Sequence, residues 1–253
     1  MKQRSATLGA KFGFATDVGL VREGNEDNGG IWAISPTKYL MVVADGMGGA
    51  QGGATASKTT VETILAEIPK TDASMDDADR VRHLVERAND AVFRMGRQHR
   101  ELYGMGTTVV MAICDMKRGR AIVGHVGDSR AYQFHVGQRR RLTEDHSLLE
   151  ETLRAHPRLS KAQRDAIPSN IVTRAIGSKS YVVADIAEVQ LQPGSTLLLC
   201  SDGLTGMVDD RRISELATDS KDNAQTAAKK LIQAALLGGG QDNVTVALAR
   251  FHR

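Results

Sequence analysis

The chain has 253 residues, 25% of them charged and 41% hydrophobic, an ordinary globular composition with enough length for one large core. Lys and Arg number 33 against 30 Asp and Glu, a formal charge of +3, and aromatic residues make up 4%. There is thus no basic field for nucleic acid and no platform for stacking bases. No apolar run approaches the ~20 residues of a membrane span. The N-terminal residues lack the apolar stretch of a secretory signal. Two cysteines, Cys114 and Cys200, cannot build a disulfide framework, which leads to the expectation of a cytoplasmic protein.

Residues 1–10 read as a tail and 11–253 as a single domain. Strands are predicted over 11–17, 30–35 and 39–44. A helix is predicted over 52–68, because Val61, Ile64, Leu65 and Ile68 recur at helical spacing, with Pro69 closing it. Residues 71–79 are acidic and polar and read as an exposed loop. A second helix over 79–99 carries Val81, Leu84, Val85, Ala88, Val92 and Met95 on one stripe. Strands follow over 107–114, 120–126 and 131–135, and Val136–Gly137–Gln138 turns the chain into a further strand over 139–142. The stretch 145–178 changes character, with helical fragments broken by Pro157 and Pro168, and reads as a flap over the scaffold. Strands return over 181–189, 196–201 and 243–251, and a last helix over 224–237 ends at Gly238, Gly239 and Gly240. Strict βαβ alternation is absent. The order predicts an α+β fold of mainly antiparallel sheets flanked by helices.

One chemical pattern repeats. Apolar runs end in Asp beside Gly: 39–44 runs into Asp45 and Gly46, 122–127 into Asp128, and 196–201 into Asp202 and Gly203, while Asp242 precedes the final strand. Any one of these alone reads as a turn. Several together would place carboxylates at the ends of buried strands, where they repel one another unless cations intervene. With oxygen ligands and no neighbouring His, the cation is hard, Mg2+ or Mn2+ rather than Zn2+. Two such ions ~3.5–4 Å apart would activate water for attack on phosphorus. A second constellation, Arg22-Glu23-Gly24-Asn25-Glu26-Asp27, falls in a loop. Arg22 offers a bidentate fork for phosphate, and Glu26 and Asp27 offer acceptors for water. Alone, it would be a charged surface turn.

Taken jointly, these segments resemble the PP2C family of metal-dependent Ser/Thr protein phosphatases, in its bacterial branch. The matching segments are REGNED (22–27), VADGMGG (43–49), GTT (106–108), GHVGDSRAY (124–132), LTEDHS (142–147), VTRAIG (172–177), CSDGL (200–204) and QDNVTV (241–246), in family order. The resemblance implies a four-layer α-β-β-α sandwich with metals in a cleft at one end. It implies that Asp45 bridges two ions, Mn2+ or Mg2+, and that the Gly46 carbonyl binds one of them. Asp202 and Asp242 would hold the other, Glu26 acting through water and Asp27 from further out. Arg22 would bind the substrate phosphate, and Asp128 with Asp202 would bind a third, weaker ion. The implied chemistry is in-line attack by a hydroxide bridging the two core ions, with no phosphoenzyme. Implied partners are phosphorylated proteins and a Ser/Thr kinase that this enzyme opposes; the protein itself would be a monomer.

The chain departs from the family at Met47 and Ala50, where relatives carry His. Without that imidazole, water must protonate the leaving alkoxide, and alkyl phosphates are expected to react more slowly than aryl ones.

Other motifs carry less. Residues 52–59 nearly spell a phosphate-binding loop, but Ser57 replaces its second Gly and the stretch is predicted helical. Cys114 and Arg120 have cysteine-phosphatase spacing, with a bulky charged stretch between them; both thiols read as small core hydrophobes. His125 and His146 read as structural or surface residues. Arg139, Arg140 and Arg141 read as a solvated hairpin edge, and Asp72, Asp76, Asp77 and Asp79 as a solvated turn rather than a calcium loop. The competing class is a silent relative that only binds phosphoproteins. Intact Asp45, Asp202, Asp242 and Arg22 speak against it.

Overall fold

The computed structural model describes residues 7–168 and 170–253, with the backbone alone at Ala50. The chain opens with β1 (Gly9–Asp17), β2 (Asn28–Ser35), β3 (Lys38–Ala44) and a short β4 (Gly46–Met47), followed by α1 (Ala50–Glu67) and α2 (Asp77–Gln98). Then come β5 (Gly106–Thr107), β6 (Val109–Asp115), β7 (Arg120–Val126), β8 (Arg130–His135) and β9 (Gln138–Arg141). Within the expected flap lie α3 (Leu148–Ala155) and α4 (Lys161–Asp165). The chain finishes with β10 (Asp185–Gln190), β11 (Thr196–Cys200), α5 (Asp202–Thr205), α6 (Asp210–Thr218), α7 (Ala224–Leu237) and β12 (Val244–His252).

Two five-stranded sheets form, in the orders β1-β12-β11-β8-β9 and β10-β7-β6-β3-β2, and all pairings are antiparallel. The central strands are apolar on both faces, so they read as continuous hydrophobic runs rather than as alternating ones. Their alternate residues feed different layers. Leu40, Val42, Met111 and Ile113 pack outward with Val61, Ile64, Leu84 and Val85 of α1 and α2. Met41, Val43, Val110 and Ala112 pack inward against Leu197, Leu199, Ala247 and Ala249 of the other sheet. On the far side, Leu198, Val246 and Leu248 pack with Ile213, Leu216, Leu231 and Ile232 of α6 and α7. The result is the α-β-β-α sandwich the sequence led us to expect.

Some expectations need correcting. Gly9 and Ala10, assigned to the tail, pair with His252 and Phe251; residues 1–6 lie outside the described residues. Pro69 does not end the first helix abruptly but sits in a single tight turn, Ile68–Lys70, where its missing N–H is tolerated. The acidic stretch is not wholly a solvated loop. Asp76 caps α2, accepting from Ala78 N at 2.9 Å, and Asp77 is buried, taking Lys38 Nζ at 2.7 Å together with Arg80. Helix α6 was missed because its nine residues bury only Ile213, Leu216 and Ala217. Residues 181–184, expected in a strand, pair with no strand among the described residues, and β10 starts at Asp185.

The β8–β9 hairpin closes on two left-handed residues, Val136 at φ 49° and Gly137 at φ 71°, with His135 opposite Gln138. This geometry matches a type I′ turn, which prefers Asn–Gly, and a β-branched residue at positive φ is strained. Val136→Asn is expected to raise stability by about 1 kcal/mol, the handedness cost for an ordinary residue, read as a shift in the urea midpoint. An unchanged or lower midpoint would contradict this.

Candidate metal centre

The antiparallel order decides where the aspartates meet. Strand β3 ends at Ala44, with Asp45 next. Its neighbour β6 therefore begins at that end, and β7, antiparallel to β6, returns to it and stops before Asp128. In the other sheet β11 ends opposite the start of β12, with Cys200 paired to Val246, so Asp202 and Asp242 reach the same end of the sandwich. There they line one cleft of about 390 Å³ with Arg22, Glu26, Asp45, Gly46 and Asp128. Every side chain singled out as a metal or phosphate ligand lies in this cleft except Asp27, which is buried just behind it.

Backbone anchors hold these side chains. The Asp45 carbonyl accepts from Thr108 N at 2.8 Å and from Thr107 Oγ1 at 2.7 Å, while the Asp45 N–H donates to Thr108 Oγ1 at 3.1 Å. The Thr108 hydroxyl also meets Ser129 Oγ at 2.7 Å, tying the Asp45 turn to the residue after Asp128. At Gly46 a Cβ would strike the Gly53 carbonyl, and at Gly53 it would strike the Glu26 carboxylate. Two glycines thus let the first turn of α1 press against the Asp45 turn, with Glu26 beside the electropositive helix start.

Asn243 clamps the loop that carries Arg22 and Glu26. Its Nδ2 donates to the carbonyls of Val18 (2.8 Å) and Gly24 (2.9 Å), and its Oδ1 accepts from Glu26 N at 2.8 Å. Both ends of its buried side-chain amide are engaged by this one loop. Arg22 Nη2 donates to Asp242 Oδ2 at 2.8 Å, and its side chain is half exposed. Behind the cleft, Ser201 Oγ donates to Asp27 Oδ2 at 2.8 Å, while Asp27 Oδ1 is buried without a partner among the described residues. The sequence reading gave no role to Thr107, Thr108 or Asn243, nor to Asn170 and Val172, which bring the flap to the cleft. All but Asn170 lie within the GTT, VTRAIG and QDNVTV segments.

The electrostatics are those of a site built for cations. Burial is the main reason the Asp45 carboxyl is held well above the usual range, and the charges of Asp27, Asp202 and Asp128 add to it. Burial likewise pushes Asp27 and Asp128 up to about 7, with Asp202 contributing to both. Asp202 is raised by burial and by the charge of Asp242. Glu26 is raised by burial, against the pull of Arg22. An oxygen-only donor set, mutual repulsion and an orphaned buried carboxylate oxygen together fit hard divalent cations.

Among the described residues, no three of these carboxylates converge within the 4.8 Å that His125, His146 and Asp185 achieve. The histidine trio is not a metal site. The two rings stack, with centroids 4.6 Å apart and planes 17° from parallel, so their in-plane lone pairs cannot aim at one ion. His125 Nε2 donates to the Glu144 carbonyl at 2.8 Å, and His146 Nδ1 accepts from Gly127 N at 3.0 Å. Both are structural, as expected.

The other motifs fall away. Residues of the near phosphate loop lie within α1, with Gly53 N bonded to the Gly49 carbonyl. Both thiols are buried, which pushes each to about 12. Arg139 pairs with Asp210 at 3.1 Å and Arg141 with Asp145, so that hairpin edge is partly tied down rather than wholly solvated.

Two outcomes follow. Because the native Asp45 carboxyl binds its proton more tightly than the unfolded one, its contribution is full below the unfolded value of about 4 and is lost as pH rises through the native value. Asp45→Asn is therefore expected to raise the melting temperature of metal-free protein more at pH 8 than at pH 4, and to remove the stabilisation by Mn2+. An equal effect at both pH values would contradict this. Asn243→Ala is expected to raise both the Mn2+ dissociation constant and the KM for a phosphopeptide by about tenfold, as loss of supporting residues typically does. Calorimetry showing unchanged Mn2+ binding would refute the clamp.

The sequence model of the protein phosphatase 2C family matches residues 22–237. The chain is 37% identical over 239 residues to the serine/threonine phosphatase stp of Listeria monocytogenes, covering 93% of each protein. It is 36% identical over 240 residues to the protein phosphatase PhpP of Streptococcus pneumoniae, covering 92% of this chain and 94% of that one. Its fold superposes with a TM-score of 0.83 on the catalytic domain of the serine/threonine phosphatase PstP in complex with two manganese ions, at 30% identity over 98% of this chain and 100% of that one. Aspartates gathered at one end of a four-layer sandwich, in a sequence matched over nearly its whole length, lead to one conclusion: the chain belongs to the protein phosphatase 2C family of metal-dependent Ser/Thr protein phosphatases.

Proposed function

We propose that residues 9–253 act as one catalytic domain that hydrolyses phosphoserine and phosphothreonine on proteins in the cleft of Asp45, Asp202 and Asp242. The observation that carries this reading is the meeting of four aspartates with an exposed arginine at the rim. Asp45, the Gly46 carbonyl, Asp202 and Asp242 would hold two Mn2+ or Mg2+ ions. Glu26 would assist through water and Asp27 from behind, and Asp128 with Asp202 would hold a third, weaker ion. When bound, the ions supply Lewis acidity and lower the pKa of water towards neutrality, which provides the nucleophile.

The chain's own groups do the rest. Arg22 spends one N–H on Asp242, and the remainder of its planar fork is free to hold two phosphoryl oxygens and to meet the charge that grows on them. Asn243 and Thr108 keep the loops that present these groups in register. No described histidine lines the cleft, and the Ala50 side chain lies outside the described residues, so water supplies the proton for the departing alkoxide. Both thiols are buried away from the cleft, and with the cleft's carboxylates taken as metal ligands the attacking group is water and no phosphoenzyme forms. The substrate is made by a Ser/Thr kinase, which this enzyme opposes as a cytoplasmic monomer. Among the described residues, no helix is long and apolar enough to cross a membrane.

Phosphate release from a phosphothreonine peptide is expected to require Mn2+ or Mg2+, to stop in EDTA, and to fall by on the order of a hundredfold or more in Asp202→Asn, the scale of losing a main electrostatic contact to the transition state. Release that persists in EDTA, or an Asp202→Asn variant as active as the parent, would overturn the reading. A silent phosphoprotein-binding relative would release nothing under any of these conditions.

A further inference from the structure

Hydrophobic patterning over 181–189 predicts one strand, but only Asp185–Gln190 pairs, against β7. Residues 181–184 nevertheless keep the two-residue burial alternation of a strand. Tyr181 and Val183 are 74% and 62% exposed, while Val182 and Ala184 are buried. Their would-be partner is missing because β7 stops at Val126 and Gly127, at φ 106°, turns the chain into Asp128. The N–H groups of Tyr181, Val182, Val183 and Ala184 bond no described residue. This segment extends β10, the outermost strand of its sheet.

An unpaired extended edge is a template for another chain unless charges or coverage guard it. Further along the same edge, Asp185 and Glu188 stand guard, paired with Arg174 and Arg120. Positions 181–183 carry Tyr and Val instead. A groove of about 310 Å³ runs beside them, lined by Thr173, Arg174, Lys179, Tyr181, Val183 and Asp185. This groove shares a wall with the catalytic cleft: Asn170 and Val172 line the cleft, and Thr173 and Arg174 line the groove. Arg174 fixes the wall to the edge through Nη1, which donates to the Val183 carbonyl at 3.3 Å and to Asp185 at 2.7 Å.

We propose that residues 181–184 dock the polypeptide of the phosphoprotein substrate by strand addition, next to the cleft that takes its phosphoresidue. An extended stretch flanking that residue crosses the shared wall. Its carbonyls accept the N–H groups of Val182 and Ala184, which alternate onto the outer side of this edge, and its alternate side chains pack on Tyr181 and Val183. The inference deepens the phosphatase reading and rests on it.

The test uses the full chain with Mn2+ and three substrates: p-nitrophenyl phosphate, a short phosphothreonine peptide, and a long one of about a dozen residues, enough to span both sites. The long peptide is expected to have a KM about tenfold below that of the short one, the effect of roughly two net hydrogen bonds. Ala184→Pro removes an outward N–H and blocks pairing, and it is expected to bring the long-peptide KM up to the short-peptide value with p-nitrophenyl phosphate hydrolysis unchanged. Val183→Glu, a charge at an exposed position, is expected to do the same and decides the matter if the proline variant misfolds. Equal KM values for the two peptides in the parent enzyme, or a long-peptide KM unchanged in the folded variants, would overturn the proposal. Failure of the parent to hydrolyse p-nitrophenyl phosphate would bring down the phosphatase reading itself.

Discussion

Asp45, Asp128, Asp202 and Asp242 meet at one end of the sandwich, and burial together with neighbouring charge holds the first three carboxyls above their ordinary range. Folding the chain brings these groups together at a cost in their ionised form. The cost is offset when divalent cations take the place of the missing counter-charge. The rest of the cleft is arranged around that constraint. Glycines 46 and 53 admit Glu26, threonines 107 and 108 grip the Asp45 turn, and Asn243 fixes the loop of Arg22. Metal affinity, pH dependence and catalysis are therefore three views of one electrostatic arrangement.

The scaffold delivers these groups through parity. Because every strand pairing is antiparallel, each residue that follows β3, β7 or β11, or precedes β12, reaches the same edge of the molecule. Because both faces of the central strands are covered, their ends are rigid mounts held by three apolar layers. The flap contributes differently. It reaches the cleft through Asn170 and Val172, on irregular backbone whose sequence can vary without disturbing the metal ligands. The cleft's carboxylates sit at the strand ends, and the flap borders them.

Much of this was legible in the residues. Asp–Gly at the end of an apolar run marks a strand that stops at a cleft, so Asp45 and Asp202 stood out, and the joint order of the motifs carried Arg22 and Asp128. Asn243 did not stand out, because Asn after Asp reads as a turn; its role depends on carbonyls more than two hundred positions away. Asp77 was misread because an acidic run looks solvated until Lys38 and Arg80 are folded onto it. Residues 181–184 were read as a paired strand because alternation encodes an extended chain but not its partner. Here the partner strand turns away at Gly127.

The most direct test of the metal cage is anomalous diffraction at the manganese edge from crystals of this protein grown with Mn2+. The account predicts at least two peaks in the cleft, ~3.5–4 Å apart, with Asp45 between them and Asp202 and Asp242 on one. Density confined to the His125, His146 and Asp185 cluster, or a cleft with no ion beside Asp45, would contradict it.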